Sequence, residues 1–354
     1  MTVPDSSPAA VPEAPAEQTP RRARRTPVVS TVPPFSLWLG AAVATVLVFI
    51  GVVIALNSSV YSASGFVERY LAAIERRDLA TLVETAGVEV PAGADASALT
   101  RSALVAVDEA RVVEQTDSGD GTTSVRVDWR DGSARGTLQF DLVATDRLEG
   151  LFTDWRFAVS PITAVPVTAL HAPGVSVNGV AVTAPEPSTT DRSQISVAAF
   201  MPSRLNLGYD TRDLSAQPVV TVAGASEAAE ISVDVQPTDR FIETVQTELD
   251  DFLDACATQQ VLQPSGCPFG TFIEDRLLAP PTWSIVAYPA VTIVPGSTVG
   301  QWLVPETPAT AHIAADVLSL FDGSQTRLDE DVPFTVDYRI EIGADGALQI
   351  IGDE

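Results

Sequence analysis

Residues 35–56 read FSLWLGAAVATVLVFIGVVIAL, 22 positions without one charged side chain. At about 1.5 Å per residue, a helix of this length spans a hydrocarbon core about 30 Å thick. Hydrocarbon does not solvate ions, and a helix satisfies its own backbone, so an uncharged helical run is what a bilayer admits. Trp38 fits an interfacial anchor, and Pro33 and Pro34 precede the run, where a helix starts without losing hydrogen bonds. The sequence predicts a transmembrane helix over 35–56. That segment divides the chain into a short tail and a large remainder.

A cleaved signal peptide is the rival reading, with an apolar core of about 7–15 residues behind a short leader. Here 34 residues precede a 22-residue core, Ala55-Leu56-Asn57 makes a poor cleavage site, and no Cys follows to make a lipoprotein. An uncleaved anchor is expected. Arg21, Arg22, Arg24 and Arg25 stand before the helix, and the first charge after it is Glu68. Positive residues stay cytoplasmic, so residues 57–354 are expected outside the cell membrane. Residues 1–34, rich in Pro, Ala, Ser and Thr, have too few large apolar side chains to pack a core and are expected to be a disordered cytoplasmic tail. RRARR reads as a topogenic stop, with a partner or lipid-headgroup patch as the alternative.

The chain has 354 residues, enough for two or three domains, and a net charge of -25. Residues 57–354 carry 17 Arg against 43 acids, a net -26, and residues 1–34 a net +1. So acidic a surface repels phosphate backbones, and no nucleic-acid partner is expected. All 21 basic side chains are Arg, which excludes a lysine nucleophile, a Schiff base and a P-loop lysine. Two Cys and two His are too few for a zinc site of the usual Cys/His kind, and no cofactor is expected.

After the anchor, SSVYSASGFVERYLAAIERRD reads as a helix capped by Ser62 or Ser64, with Phe66, Val67, Tyr70, Leu71 and Ile74 on one face. Asp78 caps a second short helix with Leu79, Leu82 and Val83 inward, and Ser97 opens a possible third. Strands follow. Val125, Val127 and Trp129 alternate with Arg126, Asp128 and Arg130, and Leu138, Phe140 and Leu142 alternate with polar neighbours. Asp131-Gly132 between them marks a hairpin. A strand from Leu151 to Val159 puts Trp155, Phe157 and Val159 on one face. Helices followed by a meander make an α+β unit over 57–160.

Residues 161–236 carry short Val/Ile runs, Pro and Gly, with VSVNGVAV turning at Asn178-Gly179; this is a β-rich module, read as a small sandwich. From Thr238 a helix restarts, with Phe241, Ile242, Val245, Leu249, Phe252, Leu253 and Cys256 as one stripe and Glu243, Thr247, Asp250, Asp251 and Asp254 opposite. Strands are expected at 283–294, at 309–321 and over 336–342, where Val336, Tyr338, Ile340 and Ile342 alternate with charges. The last turns at Gly343-Ala344-Asp345-Gly346 and returns through Leu348 and Ile350, giving a C-terminal α+β unit over 237–354.

GFVERYLAAIERRDLATLVE, followed by strands ending in TDWRF, resembles the NTF2-like superfamily, cone-shaped α+β domains with a bent sheet. The C-terminal stretches LDACATQQVLQPSGCPFG, PTWSIVAYPAVTIV and DEDVPFTVDYRIEI look like uncharacterised single-pass envelope proteins of actinobacteria. The lysine-free, Ala/Val/Arg-rich usage agrees with a high-GC genome of that kind. A more distant likeness is to envelope proteins associated with teicoplanin resistance, which carry a cytoplasmic zinc ribbon that this chain, with no Cys before its anchor, lacks.

With no Lys, two scattered His and two Cys expected to be tied to each other, the residues point to a non-catalytic membrane protein with an acidic extracytoplasmic region that binds or scaffolds envelope proteins or cell-wall components. The alternative, which the resemblance implies, is an NTF2-like ligand-binding or enzymatic ectodomain. Its pocket is then expected from Tyr70, Asp128, Trp129, Trp155 and Arg156. Strand alternation sends Asp128 and Trp129 to opposite faces, and likewise Trp155 and Arg156, so plain core is the competing role for the aromatics. Cys256 and Cys267 read as a disulfide in an oxidising compartment, against two buried thiols. His171 and His312 suit the base of a Ser-His-Asp triad, but no G-x-S-x-G elbow accompanies either, and structural or surface roles are expected.

Overall fold

The computed structural model describes Thr2 and residues 34–148, 150–225, 231–342 and 348–352. The tail ahead of Pro34, Thr2 apart, and the turn at 343–346 lie outside these residues. Helix α1 (Pro34–Asn57) has its 38–57 stretch free of any buried window and is long and apolar enough to cross a membrane. Contacts group residues 53–354 into one unit and the residues up to Val52 into another.

Within 53–354 the fold is mixed α+β. Helix α2 (Ala63–Glu75) begins where the Ser62 hydroxyl accepts the Gly65 N–H, and it buries Phe66, Val67, Tyr70, Leu71 and Ile74. Helix α3 (Leu79–Glu84) is capped by Asp78, whose carboxylate accepts the Thr81 hydroxyl and the Thr81 N–H; the hydroxyl first, then the N–H, hold it below the usual carboxylate range. Leu82 is buried, but Val83 points to solvent: six residues make fewer than two turns, and only one position faces α2 squarely.

Strands β1 (Glu109–Asp117), β2 (Thr122–Asp131), β3 (Ala134–Leu148) and β4 (Phe152–Phe157) form an antiparallel meander. Gly132-Ser133 is the β2–β3 turn, with Asp131 opposite Ala134. Strand β4 ends at Phe157, so Val159 is exposed rather than on the inner face. Ser97 starts no helix. Residues 95–107 instead run as turns laced to the next sheet: Asp95 N–H donates to the Ser196 carbonyl at 2.7 Å, and Asp95 carbonyl accepts from Ala198 N–H at 2.9 Å.

The second sheet orders β7 (Val180–Thr183), β6 (Gly174–Val177), β9 (Arg204–Asp210), β10 (Leu214–Val222), β11 (Ile231–Pro237), β5 (Ile162–Leu170) and β8 (Arg192–Phe200). It turns a corner at β11, which pairs in parallel with β5 over 231–234 and antiparallel with β10 over 235–237. The β6–β7 turn is Asn178-Gly179, both at positive φ (48° and 85°) as a two-residue hairpin of this twist requires. The Asn178 side chain donates to the carbonyls of Ala103 and Arg204 and accepts the Asn206 N–H.

Helix α4 (Asp239–Ala257) is capped by Thr238 and buries Phe241, Val245, Leu249, Leu253 and Cys256; Ile242 is half-buried, and Phe252 remains 39% exposed. The third sheet holds β12 (Arg276–Leu277), β13 (Thr282–Ala287), β14 (Val294–Pro295), β15 (Gln301–Leu318), β16 (Gln325–Ile342) and β17 (Leu348–Gly352). The expected strand at 283–294 stops at Ala287, while that at 309–321 is part of an 18-residue strand paired along most of its length with β16.

Each sheet is drawn from one segment, but the cores are not. Ile162, Ala198, Phe200 and Val222 pack into the core under the meander. The core of the second sheet continues through α4 into Trp283, Trp302, Ile313 and Ile340. Polar contacts follow the same course. Arg204 on β9 binds Asp131 at the end of β2 through Nε at 2.7 and 2.8 Å, and Asp108 through Nη2 at 2.6 Å.

Candidate functional site

Helix α4 ends at Ala257 and the hairpin of β16 and β17 begins only at Gln325, and the fold sets them beside one groove of about 720 Å³, within the size range of ligand sites. Leu249 faces the core, so the neighbouring Glu248 and Phe252 stand at its edge and form one wall of the groove. The loop after α4 supplies a second wall, Gly266 to Pro268. It is tied down by a disulfide between Cys256 and Cys267, Cα atoms 5.9 Å apart. Inside that loop Gln259 bonds both ways with Ser265, and Phe269 packs on Trp283 and Phe334. Trp283 Nε1 in turn donates to Val261 carbonyl at 2.7 Å.

Strand β16 brings Asp337 and Tyr338, and β17 brings Ile350 and Gly352. Tyr338 is half-buried opposite Gly352 of β17. Burial, and then the nearby Asp337 carboxylate, raise the Tyr338 phenol above its usual value, so it stays protonated as a donor. Glu248 and Asp337 have no cationic side chain in ion-pair range among the described residues. The lining thus includes two acidic residues with no ion pair among the described residues, two aromatic residues and an apolar floor, with Asp337 and Tyr338 on opposite faces of β16, and the set suits a cation carried on an apolar stem. One turn below, Tyr288 donates to Asp254 on the same helix, which pushes its phenol up to about 12.

The residues expected from the sequence to line a pocket are placed otherwise. Tyr70 is fully buried among Phe140 and Phe157, and its hydroxyl donates to Met201 carbonyl at 2.8 Å. Trp155 is half-buried and donates Nε1 to Tyr61 carbonyl at 2.9 Å. Arg156 is exposed. Asp128, exposed and accepting from Thr137 Oγ1, and Trp129, 6% exposed, border an open groove of about 550 Å³ on the meander. Only those two of the five share a depression. Trp129 covers Gly136, where a Cβ atom would lie 2.6 Å from the indole, and its Nε1 has no partner among the described residues.

Ser284, His312 and Asp331 fall in register on β13, β15 and β16. His312 Nδ1 lies 2.8 Å from Asp331, but Nε2 faces Asp329 at 3.3 Å, so the nitrogen a triad would turn to a hydroxyl is directed at a carboxylate. His171 Nδ1 lies 3.2 Å from Asp234, and its ring meets Trp302 edge to face. Among the described residues no group of three or more His, Cys, Asp or Glu is arranged to hold a metal ion.

Sequence periodicity gives the wall residues of the α4–β16 groove but not their meeting. The one local signal was Phe252, an aromatic among acids at the margin of the apolar stripe. No family model, curated protein or solved structure matches the chain, and the chemistry of the groove is read from its own residues.

Proposed function

We propose that this is a bitopic envelope protein whose acidic ectodomain, led by an NTF2-like unit, binds without catalysis. Its α4–β16 groove receives a basic segment of another envelope component. The observation that carries the reading is that Glu248 and Asp337, neither with an ion pair among the described residues, line one groove with Phe252 and Tyr338. Arginine or lysine from a partner would neutralise the carboxylates and lay its stem on the rings. The surrounding excess of acids would speed the encounter. The four Arg ahead of α1 favour an N-terminus inside, and the Cys256–Cys267 bond suits an oxidising exterior.

The test replaces Phe252 with p-benzoylphenylalanine in the full chain and irradiates intact cells. Adducts on a Lys/Arg-rich segment, lost in Glu248→Gln/Asp337→Asn, support the reading. Absent adducts, or adducts that persist in that variant, overturn it. Protease added to spheroplasts should digest the region beyond residue 57 and spare the tail; a spared ectodomain reverses the orientation.

A further inference from the structure

The groove on the meander has the opposite character. Across β1, β2 and β3 the register places Glu109, Arg130 and Arg135 in one row and Arg111, Asp128 and Thr137 in the next row on that face. These six side chains line the groove of about 550 Å³. Its two carboxylates are engaged: Glu109 pairs with Arg111 along its own strand, and Asp128 accepts the Thr137 hydroxyl. Arg130 and Arg135 have no ion pair among the described residues, although both are exposed. Their positions are directly opposite, with Cβ atoms about 4.5–5.5 Å apart in such a pair, and like charges so placed destabilise a sheet.

In a chain with 43 acids and 17 Arg beyond its anchor, two facing arginines with no ion pair among the described residues are a costly arrangement. The next row shows the alternative, since Arg126 is neutralised by Glu114 at 2.7 Å. Two arginines facing one another on adjacent strands bring two guanidinium forks to the same groove. Planar or tetrahedral oxyanions accept such forks in bidentate fashion. The floor beneath is backbone at Gly136 and the hydroxyl of Thr137, small enough to let an anion approach.

We infer that Arg130 and Arg135 form a binding site for an oxyanionic group, a carboxylate or a phosphate. The two sources of that chemistry separate by titration. Detergent-solubilised full-length protein is titrated calorimetrically with inorganic phosphate and, separately, with acetate at low ionic strength. Saturable binding of one or both is expected, and the anion that binds names the source. Arg130→Gln and Arg135→Gln should each weaken it by at least about tenfold, the worth of one charge-assisted contact. Arg126→Gln, whose arginine is already paired, should leave it unchanged.

A second measurement guards against a merely structural role. Relief of like-charge repulsion should leave Arg130→Gln/Arg135→Gln as stable as the parent or more so without anion, and remove the rise in melting temperature that anion gives the parent. Failure of both anions to bind, binding unaltered by the two substitutions, or a double variant that unfolds earlier without anion would each overturn the site.

Discussion

The hydroxyl of Tyr70 donates to the carbonyl of Met201, joining two positions 131 residues apart at 2.8 Å. Helix α2 is thereby fixed to the end of β8, across the point at which the sequence reads as a boundary between two modules. Burial raises the phenol well above its ordinary value, more than the Met201 contact lowers it, so the group remains a neutral donor. Tyr70→Phe keeps the ring and removes the donor, leaving a buried carbonyl. A loss of about 1–2 kcal/mol is expected, read from the midpoint of chemical unfolding. Probes in the meander and in the second sheet should shift together, because their side chains share one core.

The Arg204 cluster makes a sharper test. Asp131 is buried and relies on Arg204 for its charge partner. Arg204→Met leaves that carboxylate unpaired and should cost about 3 kcal/mol, whereas Arg204→Met/Asp131→Leu should recover most of the loss. Thermal unfolding of the three proteins checks both statements.

The same cluster predicts an acid response. The Gly132 N–H, then Arg204, hold Asp108 below the usual carboxylate range. A group lowered by folding contributes stability above its unfolded value, about 4, and loses it as pH falls through the lower folded value. Asp108→Asn should therefore flatten the dependence of stability on pH below about 4 and leave it unaltered near neutrality. Unfolding midpoints measured between pH 2 and 7 decide this.

Closing the loop between Cys256 and Cys267 should contribute roughly 2–3 kcal/mol by limiting the unfolded chain. Non-reducing peptide mapping should recover the two cysteines linked, and reduction should lower the unfolding midpoint. Rapid alkylation of both without reductant would contradict the bond.

Tyr288 offers a spectroscopic handle. With Asp254 accepting its hydrogen bond, its phenol is pushed up to about 12, so any stability it lends is present below about 10 and fades as pH approaches 12. Asp254→Asn should move one phenol of the absorbance titration back toward pH 10.

Much of the local structure was legible in the sequence. Asp78 announces a cap, Ser62 or Ser64 another, Thr238 the restart of a helix, and Val125, Val127 and Trp129 a buried face, because these signals operate over a few residues. Strand β1 gave no such sign: only its first positions and Val112 are even half-buried, and the rest of Glu109–Asp117 lies at an exposed edge. Ser97 has the right residue for a cap but follows Asp95, whose backbone is claimed by Ser196 and Ala198 of the next sheet. Phe252 fits the apolar period of α4, yet it sits where the helix face gives way to the groove. Both grooves arise from strand register or from packing between distant elements. Periodicity within one segment carries neither.

Asn178-Gly179 has a chemical consequence as well as a conformational one. Asparagine followed by glycine is prone to deamidate, since the unhindered next nitrogen attacks the side-chain carbonyl to close a succinimide. Here Nδ2 is held by the carbonyls of Ala103 and Arg204, and Oδ1 by the Asn206 N–H, so the amide cannot swing toward the Gly179 nitrogen. Folding thus shields the chain's one Asn-Gly bond from ageing, and succinimide or isoaspartate at residue 178 would record the time each molecule has spent open.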